Sequence, residues 1–351
     1  MSFGSLDVFI IARRFWRPET PGFRDTIPVM VKLKNLELPD VVQSPMANCT
    51  DLPFRLIARK YGMSFAFLEM LSSETLVRNN PATEERMRTI PEDWPVAAQI
   101  VGCDPAKMGE SAAIIEEMGF ALVDMNLGCP VPKIVSNGGG SQLLREPDTA
   151  GKIFKSVVRS VKKIPVTVKM RLGYTDPSGA EAVRIARIAQ DSGVDAIAVH
   201  GRTRVQGYSG TANYEAIRRV KEAVTIPVIG NGDVVDGASA VKLKDVSGCD
   251  AVMLGRGALG NPWIYRQVEA ALKGEPSLPE PGIEEKKRIL LEHIELQCRH
   301  DRDPVGPLRR ICCWYFKEIP GVAVFRGAVH SAQTVEEIKE IVRNSFCSDA
   351  G

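Results

Sequence analysis

The chain has 351 residues, 44% of them hydrophobic, and its 45 Lys and Arg against 43 Asp and Glu leave a net charge of +2. This length suits one large domain with a smaller one. The nearly neutral charge neither favours nor excludes a nucleic-acid partner, because a basic patch can lie on a neutral protein. No apolar run approaches the roughly 20 residues of a membrane-spanning helix, so we expect no membrane segment.

The first 29 residues differ from the rest of the chain. The apolar run at 8–11 is too short for the core of a signal peptide, and Arg13, Arg14 and Arg17 follow it instead of preceding it. We expect residues 1–29 to be a peripheral extension that folding does not need.

A repeated unit occupies most of the remaining chain. A hairpin pattern of alternating apolar and polar residues at 31–38 comes first. Eight apolar strands follow, each succeeded by a helical run that is amphipathic where it is clearest, at 180–192. The strands are 41–46, 65–69, 96–100, one ending near residue 126, 166–170, 196–200, 228–231 and 251–255. Eight such units predict an α/β fold, a (β/α)8 TIM barrel spanning 30–262, with the hairpin closing its floor.

Polar residues lie where these strands end, which is where TIM-barrel enzymes carry their active sites. One such residue would ordinarily cap a helix or bind a loop carbonyl, but seven around one rim favour an active site. They are Gln99, Asn126, Cys129, Lys169, His200, Asn231 and Arg256.

Cys129 is the most informative of these residues. The sequence Asp124-Met125-Asn126-Leu127-Gly128-Cys129-Pro130 places it where the fourth strand leaves the sheet, because Gly128 and Pro130 end the strand. A lone cysteine is usually inert packing. Here it follows an Asn that can orient a ring, and the glycine-rich run at 136–140 predicts a loop mobile enough to open and close over a ligand.

The other seven cysteines show no metal-binding pattern. There are no CxxC pairs, and neither Cys312 with Cys313 nor Cys298 near His300 makes a set of four ligands. We therefore expect reduced thiols, no metal site and a cytoplasmic protein.

Glycine-rich turns after strands seven and eight predict a phosphate site. Gly230-Asn231-Gly232-Asp233 and Gly255-Arg256-Gly257 let backbone N–H groups approach an anion, and phosphate sites in TIM barrels recur after these two strands. Arg256 can add a bidentate contact.

The tail predicts a separate helical bundle. A proline-rich linker covers 276–281, and helical spacing begins near residue 289 and recurs at 308–316 and 335–342, so we assign 276–351 to a helical domain. Between residues 302 and 326 five basic residues face two acidic ones, with Trp314 and Tyr315 among them. This pattern fits RNA phosphate binding and a solvated helix face equally well.

The segment at 126–130 resembles the NxGCP signature of the tRNA-dihydrouridine synthases, flavin enzymes that reduce a uridine in RNA. The resemblance extends from Met30 to about Val342 and is closest to the bacterial B-type group. It implies that Cys129 is the acid of the reaction, that FMN is the cofactor and that NADPH or NADH is the reductant. The implied substrate is a D-loop uridine of tRNA, bound by what we expect to be a monomer.

The resemblance also assigns residues to FMN. Lys169 suits the flavin N1–C2=O edge, where the reduced ring gathers negative charge, and His200 is placed at the same edge. Asn48 stands where the family usually has Gly, and we take the adjacent Cys49 as a small buried apolar residue. The full set of implied cofactor contacts is Pro45, Met46, Ala47, Gln99, Asn126, Lys169, His200, Asn231, Gly232, Asp233, Gly255 and Arg256.

The resemblance implies that the helical domain at 276–351 binds RNA. It points to Arg202 and Arg204 in the loop after strand six and to Arg309 and Arg310 in the tail as RNA contacts. Ile311 replaces a His that many members carry in that tail segment.

Two alternatives remain open at this point. Dihydroorotate dehydrogenases carry a similar Asn…Cys-Pro run, so the protein could be a dihydroorotate or dihydropyrimidine dehydrogenase acting on a free pyrimidine, which needs no basic tail. A catalytically silent RNA-binding protein on a flavin barrel is the other reading, against which Cys129, Lys169 and His200 weigh.

Overall fold

The structure, a computed structural model, describes residues 31–317 and 319–346. The predicted extension at 1–29 lies outside the described residues. A hairpin of β1 (Val31–Leu33) and β2 (Leu36–Leu38) precedes the sheet. The remaining strands are β3 (Val41–Gln43), β4 (Ala66–Phe67), β5 (Leu71–Ser72), β6 (Val96–Val101), β7 (Val123–Leu127), β8 (Val166–Arg171), β9 (Ala196–His200), β10 (Val228–Asn231) and β11 (Ala251–Leu254).

These strands form the barrel that the repeat predicted. Parallel pairing runs in the order β3-β11-β10-β9-β8-β7-β6-β4, and β5 adds a short second contact with β6. The circle closes where the backbone N–H of Gln43 donates to the carbonyl of Phe65 at 3.1 Å. The prediction of a (β/α)8 barrel is confirmed, with the second strand shorter than expected.

Helices follow the strands and cover the outside of the barrel. They are α1 (Leu52–Lys60), α2 (Ser73–Val77), α3 (Pro81–Arg86), α4 (Pro105–Glu117), α5 (Pro132–Ser136), α6 (Pro147–Ser160), α7 (Ala180–Asp191), α8 (Tyr214–Ala223), α9 (Gly237–Ser247) and α10 (Ile264–Leu272). Ala182, Ala186 and Ala189 of α7 are buried at helical spacing, as the amphipathic pattern predicted, and Ile185 is buried with them. Val183, expected on the same face, is only partly buried.

Side chains inside the barrel change character from floor to mouth. The apolar floor is one cluster that joins Leu33 and Leu38 of the hairpin to Ala97 of β6, Leu122 just before β7 and Ala196 of β9. The hairpin therefore closes the barrel floor, as predicted. Because successive strand residues face opposite sides, the inward positions nearer the mouth fall on polar residues, among them Gln99 of β6, Asp124 and Asn126 of β7, and Lys169 of β8.

The tail forms four helices, α11 (Ile283–His300), α12 (Val305–Tyr315), α13 (Val322–Ser331) and α14 (Val335–Asn344). Their apolar core includes Leu290, Leu308 and Phe325, and Ile57 of α1 and Trp263 before α10 belong to the same cluster. The bundle therefore packs against the barrel beside α1. The sequence pattern predicted the other three helices but missed α13, which carries Gly327 and several β-branched residues of weak helix propensity. No helix in the described part of the chain is long and apolar enough to cross a membrane.

Candidate active site

A cavity of about 920 Å³ opens at the carboxyl ends of the barrel strands. Residues from each of the predicted strand ends reach it, together with Lys317 from beyond α12. Its lining includes every residue predicted to be catalytic or to bind the cofactor: Pro45, Met46, Ala47, Gln99, Asn126, Cys129, Lys169, His200, Asn231, Gly232, Asp233, Gly255 and Arg256. Residues that are far apart in the chain thus meet in one cavity, as a TIM barrel requires.

Cys129 is held from both sides of its turn. The N–H groups of Gly128 and Cys129 donate to Oδ1 of Asn126 at 2.9 and 2.8 Å. The carbonyl of Cys129 accepts from the backbone N–H and the hydroxyl of Ser141 at 3.1 and 3.0 Å. The glycine-rich run at 136–140, predicted to be a loop, is the turn that joins the end of α5 to the start of the 3₁₀-helix Gly140–Arg145. Asn126 orients the cysteine turn as well as lining the cavity.

The Cys129 side chain retains its proton at neutral pH. It is only 8% exposed, and burial raises the pKa of the thiol, against smaller effects of the Val131 N–H and Arg171 in the opposite direction. A cysteine that must act as an acid has to be protonated before it reacts. Cys49 also lines the cavity, and burial raises the pKa of its thiol too.

We expect Gly140→Ala to lower the rate of Cys129 alkylation by about tenfold or more, because a small displacement of a reacting group lowers its rate. Gly140 has φ +57°, and an added Cβ would lie 2.7 Å from the carbonyl oxygen of Cys129. Gly138→Ala is the matched control, because its φ is also positive but its Cβ would meet only Cys103, at 3.4 Å. Rates of alkylation of Cys129, read by peptide mass spectrometry, measure the difference, and equal rates in both variants would contradict the expectation.

The side chains of Asn126 and Gln99 belong to one hydrogen-bonded chain in the cavity wall. Nδ2 of Asn126 donates to Oε1 of Gln99 at 2.7 Å, and Nε2 of Gln99 donates to Asp124 at 2.6 Å. Asp124 also accepts from the hydroxyl of Thr167 at 2.6 Å. The sequence interpretation gave no role to Asp124 or Thr167. The carboxyl group in the middle of a buried strand was the available signal, since such a group needs partners.

Lys169 and His200 both line the cavity, and each has a pKa below its ordinary value. Burial, with help from Arg171, lowers the pKa of Lys169 to about 8. Burial and the neighbouring cations Lys169, Arg171, Arg202 and Arg256 lower the pKa of His200 to about 2, so its imidazole is neutral. Lys169 can therefore offer a charge to an anionic ligand edge, while His200 offers a neutral hydrogen-bonding ring.

Arg171 is a cavity residue that the sequence interpretation missed. It lies two residues beyond Lys169, on the same inward face of β8. Its Nε donates to the carbonyl of Gly128 at 2.9 Å, and its Nη1 donates to the carbonyls of Thr203 and Gly207. Arg171 thereby ties the cysteine turn to the loop after β9. An arginine at the end of a barrel strand was the signal that could have found it.

The predicted phosphate turns have the tight geometry that glycine allows. Gly232 has φ +136°, and an added Cβ there would lie 2.7 Å from Cβ of Ala212. At Gly257 a Cβ would lie 2.1 Å from the carbonyl oxygen of Val234. The exposed guanidinium of Arg256 lies 4.0 Å above the ring of Tyr208, which is 57% exposed at the cavity mouth.

Arg202 does not occupy the surface position that an RNA contact requires. It is 2% exposed, and its guanidinium pairs with both carboxylate oxygens of Asp233 at 2.7 and 2.8 Å. It also donates to the carbonyls of Ser209 and Gly210. The pair fixes the turn after β10, so we reassign Arg202 from RNA binding to shaping the cavity wall. The carboxylate of Asp233 also accepts from the backbone N–H of Ala212 at 2.7 Å.

The remaining predicted RNA contacts differ from one another. Arg204 lies 4.8 Å from the ring of Tyr174. Arg309 is partly buried and donates to the carbonyl of Ala332 at the end of α13, with an Nε distance of 3.2 Å. Arg310 is exposed, lies 5.8 Å from the ring of Trp314 and acts electrostatically on Cys49 at the cavity mouth. Only Arg310 of the tail pair therefore faces a potential partner with an exposed charge.

The donor set of this cavity fits FMN. Lys169 lines the cavity, and no hydrogen bond joins its ammonium to residues 31–317 or 319–346. Amide and imidazole groups surround it, and the glycine turns with Arg256 provide a cationic, closely approachable end for a phosphate. Within the described ranges no cluster of His, Cys, Asp and Glu could hold a metal ion.

Known proteins resemble this chain over most of its length. A family model described as dihydrouridine synthase (Dus) matches residues 42–350. A probable tRNA-dihydrouridine synthase of Rickettsia bellii is 38% identical over 323 residues, covering 91% of this chain and 98% of that protein. The tRNA-dihydrouridine synthase B of Xanthomonas campestris is 39% identical over 310 residues, covering 88% and 93%. That of Pseudomonas aeruginosa is 37% identical over 320 residues, covering 90% and 96%.

Solved structures share the barrel fold at low identity. Histamine dehydrogenase from Rhizobium sp. 4-9 has a TM-score of 0.54 and 13% identity, over 76% of this chain and 50% of that one. A 2-naphthoyl-CoA reductase in complex with 2-naphthoyl-CoA has a TM-score of 0.53 and 10% identity, over 70% and 52%. This chain spans about half the length of each, and the likeness concerns the fold alone.

Proposed function

The chain belongs to the dihydrouridine synthase family, and from that premise we propose that it reduces uridine to 5,6-dihydrouridine in tRNA. The observation that carries the proposal is the buried thiol of Cys129 in the lining of a cavity whose walls suit a flavin, where burial raises the pKa of the thiol. Relatives named as tRNA-dihydrouridine synthases support tRNA as the substrate. The free thiols of the described residues support a cytoplasmic enzyme.

FMN is the cofactor we propose, with NADPH or NADH as its reductant. Lys169, His200 and Gln99 would hold the ring, and the turns of Asn231-Gly232 and Gly255-Arg256 would hold the phosphate. When bound and reduced, FMN supplies a hydride, which the uracil accepts at C6. The rest of the chemistry belongs to side chains of this chain.

Cys129 donates a proton to C5 of the uracil, so that the hydride and the proton together saturate the C5–C6 bond. The resulting thiolate recovers its proton from solvent. Asn126 and Ser141 hold the backbone of Cys129 in place, and the exposed ring of Tyr208 offers a surface for a base entering the cavity. Because a stacked base cannot reach this depth, the RNA has to present an extruded uridine.

The direct test combines purified protein, FMN, NADPH and unmodified tRNA, with dihydrouridine mapped by mass spectrometry. We expect product in tRNA and none from free uracil or orotate. Turnover of a free pyrimidine would favour the dehydrogenase alternative, and absence of product from every substrate under reducing conditions would contradict the proposal.

Arg256→Ala should weaken FMN retention by roughly 10-fold to 100-fold, because it removes a charge-assisted contact with the phosphate. Riboflavin, which lacks the phosphate, is the matched ligand, and its affinity should change little. Fluorescence titration of both ligands measures the difference. An equal loss for FMN and riboflavin would place Arg256 at the ring and not at the phosphate.

Arg310→Ala should weaken tRNA binding and lower the slope of log K against log salt by about 1, the effect of losing one phosphate contact. Arg309→Ala is the control from the adjacent position, since its guanidinium is bound to Ala332. It should cost stability while leaving the slope unchanged. Filter binding at several salt concentrations measures the slope for the wild type and the two variants. Identical slopes in all three proteins would mean that Arg310 is a solvated residue without a phosphate contact.

A further inference from the structure

The cysteine turn is held by a chain of hydrogen bonds that begins deep in the barrel. Thr167 donates to Asp124, Gln99 donates to Asp124, and Asn126 donates to Gln99, at 2.6, 2.6 and 2.7 Å. Asn126 then accepts the N–H groups of Gly128 and Cys129. The register places Gln99, Asp124 and Thr167 side by side on β6, β7 and β8.

Asp124 determines which group donates and which accepts in each of these hydrogen bonds. The two ends of a Gln or Asn amide are nearly the same shape, so only hydrogen-bond partners decide which way each points. An ionised carboxylate accepts and cannot donate, which forces Nε2 of Gln99 toward Asp124. Oε1 of Gln99 is then left for Nδ2 of Asn126, and Oδ1 of Asn126 for the two backbone N–H groups.

We propose that Asp124 is a positioning residue whose carboxylate sets the orientation of Gln99 and Asn126 and so holds Cys129 in place for proton transfer. The inference rests on the proposed function for its catalytic meaning, although the orientation itself can be measured without catalysis. Burial raises the pKa of Asp124 to about 6, with Thr167, Gln99 and Lys169 acting against it, so the carboxyl is mostly ionised at neutral pH. Lys169 of β8 is the charged side chain that acts on it, and β6 contributes the neutral Gln99.

Asp124→Asn keeps nearly the same side-chain volume but replaces a group that only accepts hydrogen bonds with one that can also donate. An asparagine can offer either its oxygen or its nitrogen to Gln99, and in the second arrangement Gln99 and Asn126 both turn over. Nδ2 of Asn126 then faces the N–H groups of Gly128 and Cys129, which are also donors, and the turn has to move. The displacement should lower the single-turnover rate of uridine reduction by about 10-fold to 100-fold.

Exchanging the carboxylate and the amide between positions 124 and 99 should restore the original orientation of Asn126. In the double variant Asp124→Asn with Gln99→Glu, the carboxylate now at position 99 accepts from Asn126 and from the new amide at position 124. Thr167 donates to the oxygen of that amide. Gln99→Glu alone places two carboxyls against each other and should be the slowest of the three. We expect the double variant to recover the wild-type rate of Cys129 alkylation to within roughly fivefold, which is strong non-additivity in a measurement that does not depend on the contact of Gln99 with the cofactor.

Thr167→Val is the matched control. It removes a hydrogen bond of equal length to the same carboxylate but leaves Asp124 an acceptor for Gln99. If Asp124 had only a structural role, Thr167→Val and Asp124→Asn should lower the rate equally. If Asp124 positions the amides, Thr167→Val should stay near the wild-type rate.

The experiment uses pre-reduced holoenzyme with excess FMN and unmodified tRNA at neutral pH. Alkylation of Cys129, read by peptide mass spectrometry, runs in parallel and needs no catalysis. A uridine-reduction rate and an alkylation rate that change in Asp124→Asn, with the alkylation rate returning in the double variant, support the proposal. A double variant whose Cys129 alkylation is as far from wild type as that of Gln99→Glu alone overturns the proposal, and this comparison does not need Asp124→Asn to fold. If the wild type reduces no uridine, the proposed function fails, and the alkylation pattern still decides whether Asp124 positions the turn.

Discussion

Cys129→Ala should lower the single-turnover rate of uridine reduction by roughly 10²–10⁴-fold, the usual effect of losing a general acid. FMN retention and NADPH oxidation should persist, because neither needs a proton from this turn. Cys129→Ser should also be slow, since a hydroxyl gives up its proton far less readily than a thiol. Pre-reduced enzyme mixed with unmodified tRNA isolates the step that the thiol serves.

Cys49→Ala provides the control for this experiment. Cys49 lines the same cavity, and burial raises the pKa of its thiol as it does for Cys129. The hydrogen bonds that fix a catalytic turn converge on residue 129 and not on residue 49. We expect near wild-type rates from Cys49→Ala. Rapid uridine reduction by Cys129→Ala, or a large loss in Cys49→Ala, would assign the acid to another group.

Lys169→Met should weaken FMN binding by roughly 10-fold to 150-fold, the range for a lost hydrogen bond to a charged group. The wild type should also bind FMN less tightly as the pH rises. The pKa of Lys169 is lowered to about 8, so the ammonium is charged below that pH and becomes neutral above it, and an anionic ligand favours the charged form. The bound ligand should in turn move the pKa of Lys169 upward, toward its ordinary value.

The pH dependence separates this role from a general loss of stability. FMN affinity of the wild type should fall as the pH rises through about 8, and Lys169→Met should lack that step. Lys133→Met, which removes a charge from exposed α5 outside the cavity lining, should keep both the affinity and the step. Fluorescence titrations across this range measure all three proteins. A step that survives in Lys169→Met would belong to another group.

Local pattern was sufficient to predict the barrel and most of its rim. Alternation, apolar runs and glycine spacing depend on a few neighbouring residues, and eight repeats of one unit admit few architectures. Once the barrel is assumed, residues at the strand ends must converge, and the predicted residues from Pro45 to Arg256 do line one cavity. The same local reasoning missed α13, where weak helix formers rely on Phe325 and Val329 packing into the bundle.

By itself, the sequence determined the α/β class, the eight strands, the closing hairpin and the position of Cys129 at a strand end, because each depends on short-range periodicity. Only the tertiary structure decided the partners of the long polar side chains. Arg202 and Arg309 were both predicted to contact RNA. In the structure Arg202 pairs with Asp233, and Arg309 donates to the carbonyl of Ala332. Likewise, strand register brings Asp124 to Gln99 and so directs the amides toward Cys129. A flexible side chain can reach many partners, and the one it takes depends on which distant strand or helix folding places beside it.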